Sequence, residues 1–265
     1  MHKKGIDIQQ IVSLYKSGKT PVEIGELLTC TTCNITRRLR KEGIIVKMDY
    51  SKRRFSRNGR YKVDVNYFDT IDSEDKAYFL GLLYSDGSVC SNFFYIKLAD
   101  EDILQIFKDK IKYEGPIKYI PKPKPNWKDC YKLTINSKQL VQKLIDLGCT
   151  PNKTKTIEMP NIEENLIRHF IRGFFDGDGC LQLNDKLSHC RIDFTSASKK
   201  FLEQLRPIIT QQALTNGYLG KESKYEVWHL NYSGQQTKKI LNWLYKDSSI
   251  YMKRKHDKYL LLGSL

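Results

Sequence analysis

The fold turns on two stretches of this 265-residue sequence, AYFLGLLYSDGSV at 77–89 and HFIRGFFDGDGCL at 169–181. Each reads as an apolar run, a glycine, three residues, a small residue and then Asp-Gly. At an offset of 92, Gly81 matches Gly173, Ser85 matches Gly177, Asp86 matches Asp178 and Gly87 matches Gly179. A helix over either stretch would be apolar on nearly every face, and such helices are buried. Gly81-x-x-x-Ser85 and Gly173-x-x-x-Gly177 set small residues one turn apart, so two helix backbones can approach closely. The stretches are therefore predicted to form a helix pair at the centre of the molecule, with Gly81, Ser85, Gly173 and Gly177 as its packing strip. Asp86 and Asp178 follow that strip and should emerge together at one end. Gly87 and Gly179 are expected to end the helices as left-handed C′ residues.

A second echo supports a duplication. YKLTINSKQLVQKLIDLG from Tyr131 matches WHLNYSGQQTKKILNWLY from Trp228, at an offset of 97. Between the echoes lie the helical patterns DILQIFKDKI and KKFLEQLRPII. Each half reads helix, strands, helix, strands, helix, which means one duplicated architecture rather than a solenoid. The expected fold class is α+β, a pseudo-two-fold αββαββα repeat with antiparallel sheets. The body is placed at 67–265, half one at about 67–160 and half two at about 161–265.

Two carboxylates close together, each at the negative end of a helix dipole, are electrostatically unfavourable unless cations neutralise them. Hard divalent cations, held by carboxylate, carbonyl and phosphate oxygens, fit that need. Such a site can activate water and stabilise a leaving oxygen on a phosphodiester. Asp86, Asp178, Ser85 and Gly177 are the candidate metal-site residues. Taken singly, either Asp-Gly would be an ordinary helix stop; two in register, each after a buried small-residue strip, point to function.

These segments resemble the paired motifs of the LAGLIDADG homing endonucleases in their single-chain form. FLGLLYSDG and IRGFFDGDG stand where LAGLIDADG stands, and the resemblance covers about 66–265. It implies a saddle of two four-stranded antiparallel sheets straddling duplex DNA, with Mg²⁺-dependent (or Mn²⁺-dependent) cleavage of both strands across the minor groove. The eighth motif position, the family's metal-binding acid, maps to Asp86 and Asp178. The sixth is Asp176 in the second stretch and Tyr84 in the first, a departure from the family pattern. The resemblance also implies a lysine near the active site after each half's last helix. The candidates are Lys153 and Lys155 in PNKTKTIEMP, and Lys253 and Lys255 in YMKRKHDKY. A cation there could stabilise charge developing at the phosphate. The chain is expected to act as a monomer with an internal pseudo-dimer. A DNA-binding regulator or intron splicing helper on the same scaffold is the alternative, but a pure binder has no use for the acid pair. An intron or intein would suit a mobile gene of this kind.

The chain carries 45 Lys plus Arg against 30 Asp plus Glu, a net of +15, which points to a polyanionic partner. Residues 1–65 hold +9 of that excess, which suggests an appended nucleic-acid module. Ile8, Ile11, Val12 and Tyr15 form one helical stripe, and Gly18 stops it. Thr20, Pro21 and Glu23 read as a capping box opening a second helix with Val22, Ile24, Leu27 and Leu28. A third helix at about 31–41 turns Ile35 and Leu39 inward. Thr32, Asn34, Arg37, Arg38 and Lys41 are left outward. Three short helices with a basic last one are expected to be a helix-turn-helix spanning 1–45 that reads a major groove. Residues 46–66 read as a basic linker, with Arg53, Arg54, Arg57 and Arg60 placed to track phosphates. In the body, alternate residues of the strands should face DNA, which nominates Lys97, Lys132, Arg191, Asp193 and His229. Lys122 and Lys124 lie in the Pro- and Lys-rich stretch 121–129, expected to form a hairpin tip over phosphates.

Other chemistries fail on spacing. Cys30-x-x-Cys33 lacks a second ligand pair at a structural-zinc distance and reads as two ordinary helix residues. A Ca²⁺ loop beginning at Asp176 would have Leu187, not Glu, at its twelfth position. His-x-x-x-His and the phosphate-cradling Gly-x-x-x-x-Gly-Lys-Ser/Thr are absent. An A-form RNA partner suits a helix-turn-helix poorly, because its major groove is deep and narrow. No run of about 18 apolar residues offers a membrane span, and MHKKGIDIQQ has no secretory core. The seven cysteines are then expected to be reduced thiols in a cytoplasmic compartment.

Overall fold

The computed structural model describes residues 7–44, 46, 61–122, 128–184, 189–214, 216–222 and 226–263. Contacts divide the chain into two units, Met1–Phe55 and Ser56–Leu265. In the first, α1 (Ile8–Lys16), α2 (Pro21–Leu27) and α3 (Thr32–Lys41) enclose a small core of Ile11, Ile24, Ile35 and Leu39. Each helix opens on a side-chain cap. Asp7 accepts from Gln9 N, and Thr31 from Asn34 N. Thr20 and Glu23 form the full capping box, with Glu23 N donating to Thr20 Oγ1 at 3.3 Å and Thr20 N donating to Glu23 Oε2 at 2.8 Å. Such a cap contributes about 1 kcal/mol to a short helix. Leu27 lies outside this core, 59% exposed. Cys30 precedes α3 as a partly buried loop residue rather than a helical one.

The second unit is the duplicated body. Half one runs α4 (Glu74–Asp86), β1 (Gly87–Val89), β2 (Phe94–Leu98), α5 (Glu101–Lys110), β3 (Ile117–Ile120), β4 (Cys130–Ile135) and α6 (Lys138–Asp146). Half two runs α7 (Glu164–Asp178), β5 (Cys180–Leu183), β6 (Cys190–Ser196), α8 (Lys199–Ala213), β7 (Tyr218–Lys221), β8 (Trp228–Ser233) and α9 (Gln235–Tyr245), closed by α10 (Lys253–Gly263). Among the described residues the strands form two four-stranded antiparallel sheets, in the orders β1-β2-β4-β3 and β5-β6-β8-β7. This is the α+β repeat that the two echoes predict. The expected basic linker 46–66 ends sooner than its sequence suggests. Asp64 N donates to Ile111 O at 2.9 Å and Tyr61 meets the Tyr113 ring edge-on, so residues from 61 onward already belong to the body.

The core lies around α4 and α7. Residues 77–84 of α4 and 169–176 of α7 are all buried, which fits their all-round apolar faces. A Cβ on Gly81 would stand 2.0 Å from Phe170 O, and one on Gly173 would stand 1.9 Å from Tyr78 O. The two helices therefore touch backbone to backbone at these glycines, which only a residue without Cβ permits. One expectation fails at their ends. Gly87 and Gly179 are not left-handed; their φ/ψ of −77°/147° and −76°/156° are extended. Each helix runs straight into its strand, and that strand start needs the extended geometry. Glycine is required here for room instead, since a Cβ would meet Leu83 O at 2.4 Å or Phe175 Cδ2 at 2.0 Å.

Candidate active site and nucleic-acid interface

The side-by-side packing of α4 and α7 brings Asp86 and Asp178 to the same end of the pair. The backbone of Gly177 lies against the Asp86 carboxylate, since a Cβ there would stand 2.4 Å from Asp86 Oδ2. Burial, and then the facing charge of Asp178, push the Asp86 carboxyl up to about 6. Asp178 is more open to solvent. The protein around it still raises its pKa, against the opposing pull of Lys153 and Lys255. Two carboxylates that burial holds above their ordinary range, side by side, form a donor set suited to a hard divalent cation. Among the described residues no group of three or more His, Cys, Asp or Glu gathers. Further oxygen ligands would therefore come from backbone carbonyls or from a bound phosphate. The Ser85 hydroxyl is turned into its own helix, donating to Leu82 O at 3.0 Å.

Two of the four candidate lysines reach this end of the helix pair. Lys153, buried in a short 3₁₀ turn, donates through Nζ to Gly87 O at 2.6 Å. Lys255, buried in the first turn of α10, donates to Gly179 O at 2.6 Å and also to Phe175 O. Each lysine thus holds the glycine after its own half's acid. Burial lowers Lys255 to about 8 against the pull of Asp176. The other two lie elsewhere. Lys155 is exposed and paired with Glu226, and Lys253 is exposed and paired with Asp257 at 2.6 Å. The spacing within PNKTKT and MKRKH left both members of each pair open; only the local turn separates them.

The sixth motif positions are structural. Asp176 is fully buried and accepts from Tyr78 Oη at 2.8 Å, from Met252 N at 2.7 Å and from Tyr245 Oη. Tyr84 is buried and donates to Leu147 O at 2.6 Å. A Cβ on Gly148 would stand 2.2 Å from Tyr84 Oη. In the register of the second echo Gly148 stands where Tyr245 stands. Half one therefore fills this spot with a phenol from the motif helix, and half two with a phenol from the end of α9. Sequence reasoning missed a further group at the other end of the pair. Arg172, fully buried, bonds Glu74 Oε1 at 2.5 Å, His169 Nδ1 at 2.9 Å, and the carbonyls of Leu244 and Ile250, each at 2.9 Å. Burial, and then Arg172, hold His169 down at about 4, so its Nδ1 accepts as a neutral ring.

The outward sheet faces differ between the halves. In half one Lys97 of β2 pairs with Lys132 of β4, which pairs with Lys118 of β3. That makes a row of lysines across three strands, with Lys132 Nζ 3.7 Å from the Tyr95 ring centroid. Lys118 was not marked by sequence, because the short β3 shows no clear alternation. In half two Arg191 and His229 both face Asp193. Asp193 Oδ2 lies 3.2 Å from His229 Nδ1 and 3.6 Å from Arg191 Nη2, so this face is mixed in charge. Lys122 is exposed, with its backbone N donating to Asp129 Oδ1 at 2.9 Å. On α3, Arg37 and Lys41 are exposed and Thr32 is half-buried, while Asn34 Oδ1 accepts from Arg37 and Arg38 at 3.2 and 3.3 Å. Lys124, Arg53, Arg54, Arg57 and Arg60 lie outside the described residues. No helix among the described residues is long and apolar enough to cross a membrane.

Comparison with known proteins agrees with this architecture. Residues 165–241 match the family model described as a LAGLIDADG-like domain. A probable translation initiation factor IF-2 of Methanocaldococcus jannaschii is 26% identical over 200 residues, 69% of this chain and 16% of that protein. The DNA-directed RNA polymerase subunit Rpo1C of the same organism is 29% identical over 142 residues, 52% of this chain and 16% of that protein. The chain thus corresponds to only a small part of either relative. The solved structure of the homing endonuclease I-WcaI, bound to its DNA recognition sequence, shares the fold with a TM-score of 0.52 at 10% identity, over 73% of this chain and 90% of that one. The match to a LAGLIDADG-like domain thus covers most of half two, and the duplicated sheets and paired helices of the whole body share their fold with that endonuclease structure.

Proposed function

We propose that this chain is a site-specific DNA endonuclease that cuts both strands of a long duplex target across the minor groove, as a monomer whose two halves act as an internal pseudo-dimer. The observation that carries the reading is the convergence of both motif acids with two buried lysines, one from each half, at one end of the α4–α7 pair. Asp86 and Asp178, with backbone carbonyls beside them, would hold divalent metal, Mg²⁺ or Mn²⁺. The bound metal supplies Lewis-acid polarisation of a phosphodiester and of the water that attacks it. The chain's own part is to hold the acids in register, keep the glycine carbonyls turned toward the lysines, and set Lys153 and Lys255 where charge develops on the phosphate. The half-one lysine row contacts backbone phosphates or guanine edges, and the mixed half-two face offers both donors and acceptors to bases.

The first unit acts in this reading as a helix-turn-helix, with α3 in a major groove and the following basic stretch as its tether. This chain is similar to a small part of two relatives with unrelated names, an initiation factor and a polymerase subunit. That distribution favours a mobile gene, of intein or intron type. The test is to incubate the chain with Mg²⁺ and a randomised duplex library and to sequence the ends. Discrete double-strand breaks, lost in Asp86→Asn and Asp178→Asn with binding retained, are expected. Sequence-specific binding with no cleavage under Mg²⁺ or Mn²⁺ would leave a DNA-binding regulator in its place.

A further inference from the structure

The two lysines are mounted differently. Lys255 follows a short lead-in, Ser249–Met252, that the motif helices grip directly. Ser249 N and Oγ donate to the two oxygens of Glu74 at 2.8 Å each, and Ile250 N donates to Glu74 Oε1 at 3.3 Å. Arg172 Nε donates to Ile250 O at 2.9 Å while its Nη2 holds Glu74. Met252 N then donates to Asp176, and Lys255 N donates to Met252 O at 3.0 Å as α10 begins. Glu74 and Arg172 thus hold the backbone at 249–250, two residues along the chain from Met252, whose N–H is held by Asp176 and whose carbonyl starts α10 at Lys255.

Among the described residues, half one holds the segment before Lys153 without a matching ion pair. At the motif offset of 92, Arg172 corresponds to Leu80, Glu74 to Leu166 and Asp176 to Tyr84. Leu80 and Leu166 are buried apolar residues. The segment before Lys153 is tied by Tyr84 Oη to Leu147 O, by a Cys149 Sγ contact with Leu83 O, and by local backbone bonds. We propose that Glu74 and Arg172 are positioning residues for Lys255 alone, so that loosening them slows scission of one DNA strand and leaves the other. This rests on the endonuclease reading above. A buried ion pair is weak evidence for stability, and its one-sided placement fits a positional role better than a general one.

The test uses the full chain on the site recovered from the library, in single-turnover reactions at saturating protein with each strand end-labelled. Lys255→Met first identifies the strand that this lysine serves. Glu74→Gln, and the double variant Glu74→Leu with Arg172→Leu that copies the half-one pair, are then compared. Expected is about a tenfold or greater loss on that same strand, as displacements of this kind produce, with nicked product accumulating and binding unchanged. Equal slowing of both strands would overturn the proposal, as would slowing only of the strand that Lys153→Met affects. A general loss of folding would lower both strands together and show as a lower melting temperature, and Glu74→Gln keeps the test readable if the double variant does not fold. A wild-type chain that cuts neither strand would instead remove the endonuclease reading itself, and this inference with it.

Discussion

His169 shows how much one neutral ring carries. Its Nδ1 accepts from Arg172, and burial, then Arg172, depress its pKa from an ordinary 6.5 to about 4. The unfolded chain binds a proton near pH 6.5 while the folded chain declines it down to about 4. The stability that His169 contributes is therefore complete above about 6.5 and is lost as pH falls through that window. Asp86 titrates in the opposite sense over part of the same range, because its carboxyl is raised to about 6. The measurement is accordingly a difference: the melting gap between wild type and His169→Gln should be widest above pH 7 and should narrow toward pH 4. Gly148 offers a second check. It adopts φ +87°, and an added Cβ would lie 2.2 Å from Tyr84 Oη. Gly148→Ala should cost about 2–3 kcal/mol in chemical denaturation, from the left-handed backbone and the displaced phenol together.

At the scale of elements, the α4–α7 pair depends on backbone contact at Gly81 and Gly173. Either change to Ala sets a methyl against a carbonyl oxygen that cannot swing aside. Gly81→Ala or Gly173→Ala should lower stability by roughly 3 kcal/mol or more, since overpacking that moves two helices lies at the upper end of its range. A matching Gly18→Ala in the first unit, where nothing lies within 4 Å but φ is +91°, should cost only about 1 kcal/mol. This pair was the most legible part of the sequence, because repetition and the small-residue strip both mark it. The sheets were legible through the second echo. The grip of Glu74 and Arg172 was not. Its members stand 98 residues apart and meet a loop at 249–250, a pairing that no local spacing marks. The conformation of Gly87 and Gly179 was misread because Asp-Gly after a helix resembles a stop, whereas here a strand begins at the glycine or directly after it. Choosing Lys153 over Lys155, and Lys255 over Lys253, needs the phase of a short turn that no periodicity reveals.

For the whole molecule, the charge falls into two parts. The basic first unit and the following stretch make affinity for DNA strongly salt-dependent in the proposed role. Arg37→Ala and Lys41→Ala should each reduce the slope of log affinity against log salt by about one if they contact phosphate. The division into two units also predicts local behaviour. Thr20→Ala removes the side-chain half of the capping box, the Oγ1 that accepts from Glu23 N, and should raise hydrogen exchange in α2 by the factor of about five that ~1 kcal/mol represents, while amides of α4 and α7 stay unchanged. The paired phenols carry a consequence for anyone who would recombine such scaffolds. Tyr84 fills one half's gap from the motif helix, and Tyr245 fills the other's from the end of α9. A hybrid that grafted an α9-like helix, tyrosine included, in place of α6 behind α4 would crowd two rings into one space; the reverse hybrid would leave a ring-sized hole beside a stranded carboxylate. New target specificities built by shuffling parts of this scaffold must therefore carry the motif helix and its α6 or α9 across as a single heritable cassette.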